Sequence, residues 1–246
     1  MIHRPVSTPP ASREAEGAEL ARVREVYDAY ATNEKYRRLW ANSPASRFMQ
    51  EHKWARIRSL LREAAFDPLA GPCLDLGSGG GDECRWIVTA GIPRERIVAF
   101  DLLEKHVRMA RQGLPGIKVI QGDARHLPFP DDCFSFVYQS TMLSSVLDQG
   151  LRRVMLEEVR RVLSPGGMFL SFDTRYRNPW NPHTRPLPAH ELRSAFAGWP
   201  IWVRSANGIP QLIRLLAPVS ELLCRAVEGV PPLRSHLLVA ARKPAS

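Results

Sequence analysis

The stretch Cys73-Leu74-Asp75-Leu76-Gly77-Ser78-Gly79-Gly80-Gly81-Asp82 constrains this chain more than any other. A short apolar run enters a glycine-rich turn, and a helical pattern opens at Asp82. Glycine suits such a turn for two reasons. The turn needs unusual backbone angles, and a ligand can then lie against bare backbone. The amino end of the next helix adds free N–H groups. A turn of this kind serves dinucleotides and other adenosyl ligands alike, and taken alone it can also be only a tight turn.

Asp75, two residues before the first glycine, narrows the choice. A carboxylate there repels a pyrophosphate and attracts an ammonium group. The alternative is that Asp75 only fixes the loop. Asp101 ends the apolar run Ile97-Val98-Ala99-Phe100-Asp101. It lies about twenty residues past the turn, where an acid accepts ribose hydroxyls; a helix N-cap is its other possible role. Gly122-Asp123-Ala124 comes third. An Asp at the carboxyl end of a strand can accept from an adenine amine, and the Ala124 N–H can donate to a ring nitrogen. The fourth element, Arg161-Val162-Leu163-Ser164-Pro165-Gly166-Gly167-Met168, reads as a helix stop and tight turn.

From residue 71 onward short apolar runs alternate with helical segments, the pattern of an α/β domain with a parallel sheet. Strands are expected near Cys73–Leu76, Ile97–Asp101, Lys118–Gln121, Phe134–Gln139, Met168–Asp173, Ile201–Ser205 and Ser235–Ala241. Helices are expected near Asp82–Ala90, Leu103–Gln112, Gln149–Leu163 and Ala189–Phe196. Residues 1–11, rich in Pro, Ser and Thr, are expected to be a disordered tail. Residues 12–70 read as two amphipathic helices, Ser12 to about Trp40 and Ala45 to Ala65, broken at Asn42-Ser43-Pro44. Their stripe of Tyr27, Tyr30, Tyr36, Trp40 and Trp54 reads as core packing rather than a substrate platform. Residues 71–246 then form the main domain, with insertions at 174–190 and 207–232.

Four motifs in order, CLDLGSGGG, VAFD, GDARHLPFPDD and RRVLSPGGM, cover about residues 72–173. Together they resemble the class I S-adenosylmethionine-dependent methyltransferases. The resemblance implies a Rossmann-like, seven-stranded, mostly parallel sheet flanked by helices, with an antiparallel last strand at Ser235–Ala241 and an N-terminal helical lid. It implies S-adenosyl-L-methionine as cofactor and S-adenosyl-L-homocysteine as product. It assigns cofactor binding to Asp75, Gly77, Ser78, Gly79, Gly81, Asp101, Leu102, Asp123, Ala124 and Gln139. A looser likeness, in Gln139–Asp148 and Arg177–Arg185, is to bacterial methyltransferases of glycan or natural-product pathways. Gln139-Ser140-Thr141 departs from the Asn/Asp-Pro-Pro-Tyr/Phe signature of enzymes that methylate nucleobase amines or glutamine amides, which speaks against those acceptors.

Ligands of open α/β sheets sit beyond the carboxyl ends of the strands. Candidate acceptor-side residues therefore follow the fourth and fifth strands. Thr141 and Ser145 are candidates to line the pocket, or are simply polar residues starting a helix. His183 is the general-base candidate, because imidazole titrates near the working pH; a loop-surface histidine is the plainer reading. Tyr176 joins Thr141 and His183 in the candidate catalytic set. Arg175, Arg177, Asn178 and Arg185 could grip an anionic acceptor, or be solvated. The histidines are isolated, so no metal site is expected.

The favoured acceptor is a small molecule, anionic or glycosylated, with a sugar or natural-product hydroxyl as the site of methylation. An RNA or protein acceptor is the alternative, suggested by the formal net charge of +9. The excess is mostly arginine spread along the chain, which argues against nucleic acid. The four cysteines form no CxxC pair, as expected of a reduced, cytoplasmic protein. No apolar run reaches membrane-spanning length, and the first residues lack a signal-peptide pattern. Ile209–Val227, apolar on one face and interrupted by Pro218, could cap the acceptor pocket, form a dimer face or touch a membrane surface. A monomer and a homodimer are both open.

Overall fold

The computed structural model describes residues 13–32, 43–179 and 181–245. The expected tail at 1–11 and the extension of the first helix through Tyr36, Leu39 and Trp40 lie outside the described residues.

Helix α1 spans Arg13–Thr32 and α2 spans Pro44–Glu63. Ser43 caps α2 by accepting from the Ser46 N–H at 3.1 Å, with Pro44 in the first turn. The Rossmann-like part follows: β1 (Cys73–Leu76), α3 (Asp82–Thr89), β2 (Ile97–Asp101), α4 (Glu104–Gly113), β3 (Lys118–Gln121) and β4 (Phe134–Ser140). Then come α5 (Gln149–Val162), β5 (Leu163–Thr174), α6 (Ala189–Ala195) and β6 (Ile201–Gly208). The region expected as one interrupted segment is two short helices, α7 (Pro210–Leu216) and α8 (Glu221–Gly229), before β7 (Arg234–Arg242).

The seven strands are ordered β3-β2-β1-β4-β5-β7-β6. The pairs from β3 through β5 are parallel, and β7 runs antiparallel to both β5 and β6. The chain winds outward from β1 to β3 and then returns to β4 on the other side of β1. That reversal opens a crevice beyond the carboxyl ends of β1 and β4, where ligands of such sheets bind. β1 is buried along its whole length, as a strand covered on both faces must be.

Side chains alternate across the sheet. Cys73, Phe136, Tyr138 and Leu170 pack one core with Trp54, Ile57, Leu60 and Leu61 of α2. Leu74, Leu76, Val137 and Phe169 pack the other with Leu151, Met155, Leu156 and Val159 of α5. The spacing of those α5 residues is one helical stripe, and Asp148 caps the helix by accepting from the Leu151 N–H at 3.0 Å. α2 thus belongs to the core of the sheet, rather than lying over it. β5 begins at Leu163, earlier than expected, because Phe134 pairs with Leu163 ahead of a register shift. The turn Pro165-Gly166-Gly167 sits inside that irregular stretch, with Gly166 at φ +76°.

Candidate functional site

The strand-to-helix turn after β1 is held from beneath. The Gly77 and Ser78 N–H groups both donate to the Phe100 carbonyl, at 2.8 and 3.0 Å. The Gly79 N–H donates to Asp101 Oδ2 at 2.8 Å. Gly77 and Gly79 sit at φ +75° and +54°, the left-handed region that glycine tolerates best. A Cβ built on Gly79 would meet no atom within 4 Å, so the space above the turn is open. At Gly77 a Cβ would collide with the Met142 side chain.

That open space belongs to a cavity of about 840 Å³. Its floor is Gly77, Ser78, Gly79 and Gly80; one side is Asp101, Leu102, Leu103 and His106; another is Gly122, Asp123 and Ala124. The loop after β4 adds Ser140, Thr141, Met142, Ser145 and Val146, and α5 adds Leu151 and Met155. Helix α1 lies over the top with Leu20, Val23, Tyr27 and Tyr30. The volume is in the range of small-molecule sites.

Asp101 is well ordered for its place. Oδ2 accepts from Gly79, and Oδ1 accepts from the Leu103 N–H at 2.9 Å and faces His106 Nδ1 at 3.1 Å. A carboxylate has about four acceptor positions, so one remains on Oδ2 for a hydroxyl in the cavity. Asp123 accepts from the Arg125 N–H at 2.9 Å and from its guanidinium at 2.7 and 2.8 Å. Burial pushes the Asp123 carboxyl up, but the Arg125 bonds outweigh it and hold it ionised, below its ordinary value.

Asp75 does not line the cavity. It shares the Cys73 face of β1, is buried, and accepts from the Cys84 thiol of α3 at 3.1 Å. Burial raises its pKa to about 7. The geometry matches the role of fixing the loop rather than meeting a ligand. The acids that do reach the cavity on this side are Asp82 and Glu83, both in the first turn of α3. Glu83 accepts from Lys53, from the Tyr138 hydroxyl at 2.9 Å and from Gln50 Nε2 at 3.3 Å. Two cavity residues carry buried polar atoms without a partner, Ser78 Oγ and Gln50 Oε1. Buried groups of this kind are normally satisfied, so each keeps an unspent hydrogen-bonding position beside the cavity.

Gly81 and Gln139 also lie outside the lining. Gly81 starts α3 at φ +91°, where a Cβ would collide with Leu114. Gln139 is buried; its Oε1 accepts from the Met142 N–H at 3.0 Å and its Nε2 donates to Ser171 and Asp173. It pins the loop after β4 from below.

Thr141 and Ser145 line the cavity as the sequence suggests. Thr141 has φ +57°, an unusual value for a β-branched residue. Its carbonyl accepts from the Ser144 and Ser145 hydroxyls at 3.2 and 3.1 Å, and its N–H donates to Phe172 at 2.8 Å. None of the described residues of the segment after β5 is among the lining residues. Tyr176 is exposed, lies under the Arg175 guanidinium and points to Pro232. His183 is exposed; its backbone N–H donates to Asn181 Oδ1 at 3.1 Å, its ring packs against Tyr30, and it is not among the lining residues. Arg175 donates to Pro231, and Arg185 donates to Leu147; Arg177 and Asn178 are not among the lining residues. The fully buried Arg152 holds this loop in place, donating to the Val146, Arg185 and Pro186 carbonyls.

The residues that sequence reasoning missed are on α1. Tyr27 and Tyr30, read as core packing, are cavity wall. Arg22 donates to the Ser145 carbonyl, Glu19 accepts from the Leu147 N–H at 2.6 Å, and Tyr30 donates to Asn181 at 3.0 Å. The clue was the aromatic stripe itself, whose partner could not be told from spacing. Among the described residues no group of His, Cys, Asp and Glu is placed to hold a metal ion.

The family model described as a methyltransferase domain matches residues 73–167. A demethylmenaquinone methyltransferase from Geobacillus kaustophilus is 32% identical over 106 residues, which is 41% of this chain and 44% of that protein. The protein of that name from Staphylococcus aureus strain Newman is 32% identical over 104 residues. The match thus spans less than half the length of these curated relatives. An S-adenosylmethionine-dependent methyltransferase from Mesorhizobium loti superposes with a TM-score of 0.54 at 23% identity, covering 75% of this chain and 96% of that one. One from Archaeoglobus fulgidus gives 0.55 at 13% identity, covering 80% and 98%. At such identities the structures show a shared fold.

Proposed function

We propose, on the premise that residues 73–167 form a class I S-adenosylmethionine-dependent methyltransferase domain, that this chain transfers the methyl group of S-adenosylmethionine to a small acceptor. One observation carries the proposal. The cavity at the sheet's reversal point joins an open glycine turn and the acids Asp82, Glu83, Asp101 and Asp123 to a largely apolar chamber under α1.

The residues present fit the cofactor. Asp101 Oδ2 has an acceptor position left for a ribose hydroxyl, and the bare surface at Gly79 leaves room for the chain of atoms beyond the ribose. Asp123 and the Ala124 backbone would flank the adenine. Ser78 Oγ, Gln50 and Glu83 would meet the amino acid end, where a carboxylate attracts the ammonium. When bound, S-adenosylmethionine supplies a methyl group on a positively charged sulfur that leaves as S-adenosylhomocysteine.

The chain's own task is then alignment. Leu20, Val23, Met142, Val146, Leu151, Met155 and the rings of Tyr27 and Tyr30 make the acceptor side largely apolar, with Glu19, Thr141, Ser145 and the two tyrosine hydroxyls as its polar groups. A sugar would leave most of its hydroxyls unpaired there, at a cost for each. A hydroxyl-bearing apolar ring, of natural-product or quinol type, suits the wall better. Burial keeps the Tyr27 phenol above its ordinary pKa, so it is protonated and acts as a hydrogen-bonding group rather than a base. The proton shed by such an acceptor would not pass to His183, which is not among the lining residues. No feature of the cavity favours an RNA or protein acceptor.

Intact protein with methyl-labelled S-adenosylmethionine tests this against three panels: hydroxylated apolar rings, sugars and RNA. Label should move to the ring compounds. Transfer confined to sugars or RNA would overturn the acceptor class.

A further inference from the structure

The connection between β6 and β7 is longer than two antiparallel neighbours need, since a tight turn can join such strands. It folds instead into α7 and α8. The inner face of this hairpin has its own small core, with Ile213 and Cys224 packed on Ala45 and Phe48 of α2.

The outer face is also apolar. Eight large apolar side chains are exposed among the described residues, and five of them fall here: Leu215, Val219, Leu222, Leu223 and Val230. Leu215, Val219 and Leu222 are 70%, 77% and 74% exposed. Side chains so bare protrude from the surface and do not line a groove. A cluster like this on a soluble surface marks a contact site.

The border is basic. Arg56 and Arg234 reach the hairpin through Glu228, and Arg225 pairs with Glu221. Arg214 has no hydrogen-bond or ion-pair partner among the described residues, although it is half-buried beside Leu215. The cations around the hairpin outnumber its two glutamates, and the whole chain carries +9.

We propose that the α7–α8 hairpin is a docking surface for an anionic lipid bilayer. Leu215, Val219 and Leu222 enter the headgroup–acyl boundary, and Arg214 meets lipid phosphates. Protruding apolar tips with an unpaired cation suit a soft, negatively charged surface. A folded partner would need a groove to receive those tips. The hairpin is tied to the site through α2, whose Gln50 lines the cavity.

Sedimentation of the intact protein with vesicles tests this without any measure of activity, so it stands apart from the methyl-transfer reading. The protein should pellet with mixed phosphatidylglycerol–phosphatidylcholine vesicles, less so as salt is raised, and weakly with phosphatidylcholine alone. The triple variant L215S/V219S/L222S should bind about tenfold or more weakly, with the melting temperature of the parent protein, because these side chains are exposed. Arg214→Gln should weaken binding and flatten the salt dependence. Equal pelleting of parent and triple variant, or none by either, would overturn the proposal. So would a parent dimer that the triple variant converts to monomer without any vesicle binding, because the occupant would then be a second copy of this chain.

Discussion

The Tyr27 hydroxyl lies 2.9 Å from Ser145 Oγ, and the Ser145 hydroxyl also reaches the Thr141 carbonyl at 3.1 Å. This chain of two bonds ties α1 to the loop after β4 across the cavity. A phenol oxygen accepts as well as donates, so Tyr27, which lines the cavity, can also bond a molecule held there.

Tyr27→Phe removes that acceptor and keeps the ring. Turnover should fall by roughly tenfold or more, as for loss of a positioning hydrogen bond. Calorimetric affinity for S-adenosylmethionine should stay within about threefold. Unchanged turnover on an acceptor found in the labelled screen would remove Tyr27 from acceptor alignment.

Two buried groups tilt stability with pH in opposite directions. Burial raises Asp75 from 3.8 to about 7, so the folded state holds a proton that the unfolded state has lost, and stability falls as pH rises through that window. His236 is stacked on Phe172 at 4.6 Å; burial, then Lys53, lower it from 6.5 to about 4. Its contribution is intact above about pH 6.5 and is lost as pH falls toward 4. In wild type the two slopes largely offset each other. Urea unfolding of Asp75→Asn should therefore show stability rising with pH between about 4 and 6.5 relative to wild type, by up to roughly 1.4 kcal/mol per unit. His236→Gln should show the reverse slope. Parallel profiles for all three proteins would refute the assignment.

Thr141 holds φ +57° at a cost of about 1 to 3 kcal/mol, offset by its ties to Ser144, Ser145 and Phe172. Asn tolerates this region better. Thr141→Asn should raise Tm by about 2 to 4 °C and lower turnover, because the strain sits where the acceptor would lie. A lower Tm would show that Thr141 is unstrained.

The fold was legible because its signals are local. The strand-turn-helix run at Cys73–Asp82 and the alternation of apolar runs with helices each need only neighbours in sequence, and the seven strands fell close to their expected places. The burial of Asp75 away from the lining residues was readable from strand alternation. Asp75 shares a face with Cys73, which packs under α2, and so meets Cys84 of α3 rather than the crevice. Tyr176, His183 and the nearby arginines could not be placed by spacing. The path of their loop is set by Arg152, a buried cation binding three carbonyls from outside its own helix. Tyr27 and Tyr30 were seen as a helical stripe, but what a stripe faces is decided by tertiary packing.

Calorimetric titration of S-adenosylmethionine into the folded protein, beside Asp101→Asn and Asp75→Asn, tests the central claim most directly. The cavity geometry predicts one site per chain, an affinity about tenfold or more weaker for Asp101→Asn, and nearly unchanged affinity for Asp75→Asn. No binding by folded wild-type protein, or loss of binding in Asp75→Asn with Asp101→Asn unaffected, would contradict it.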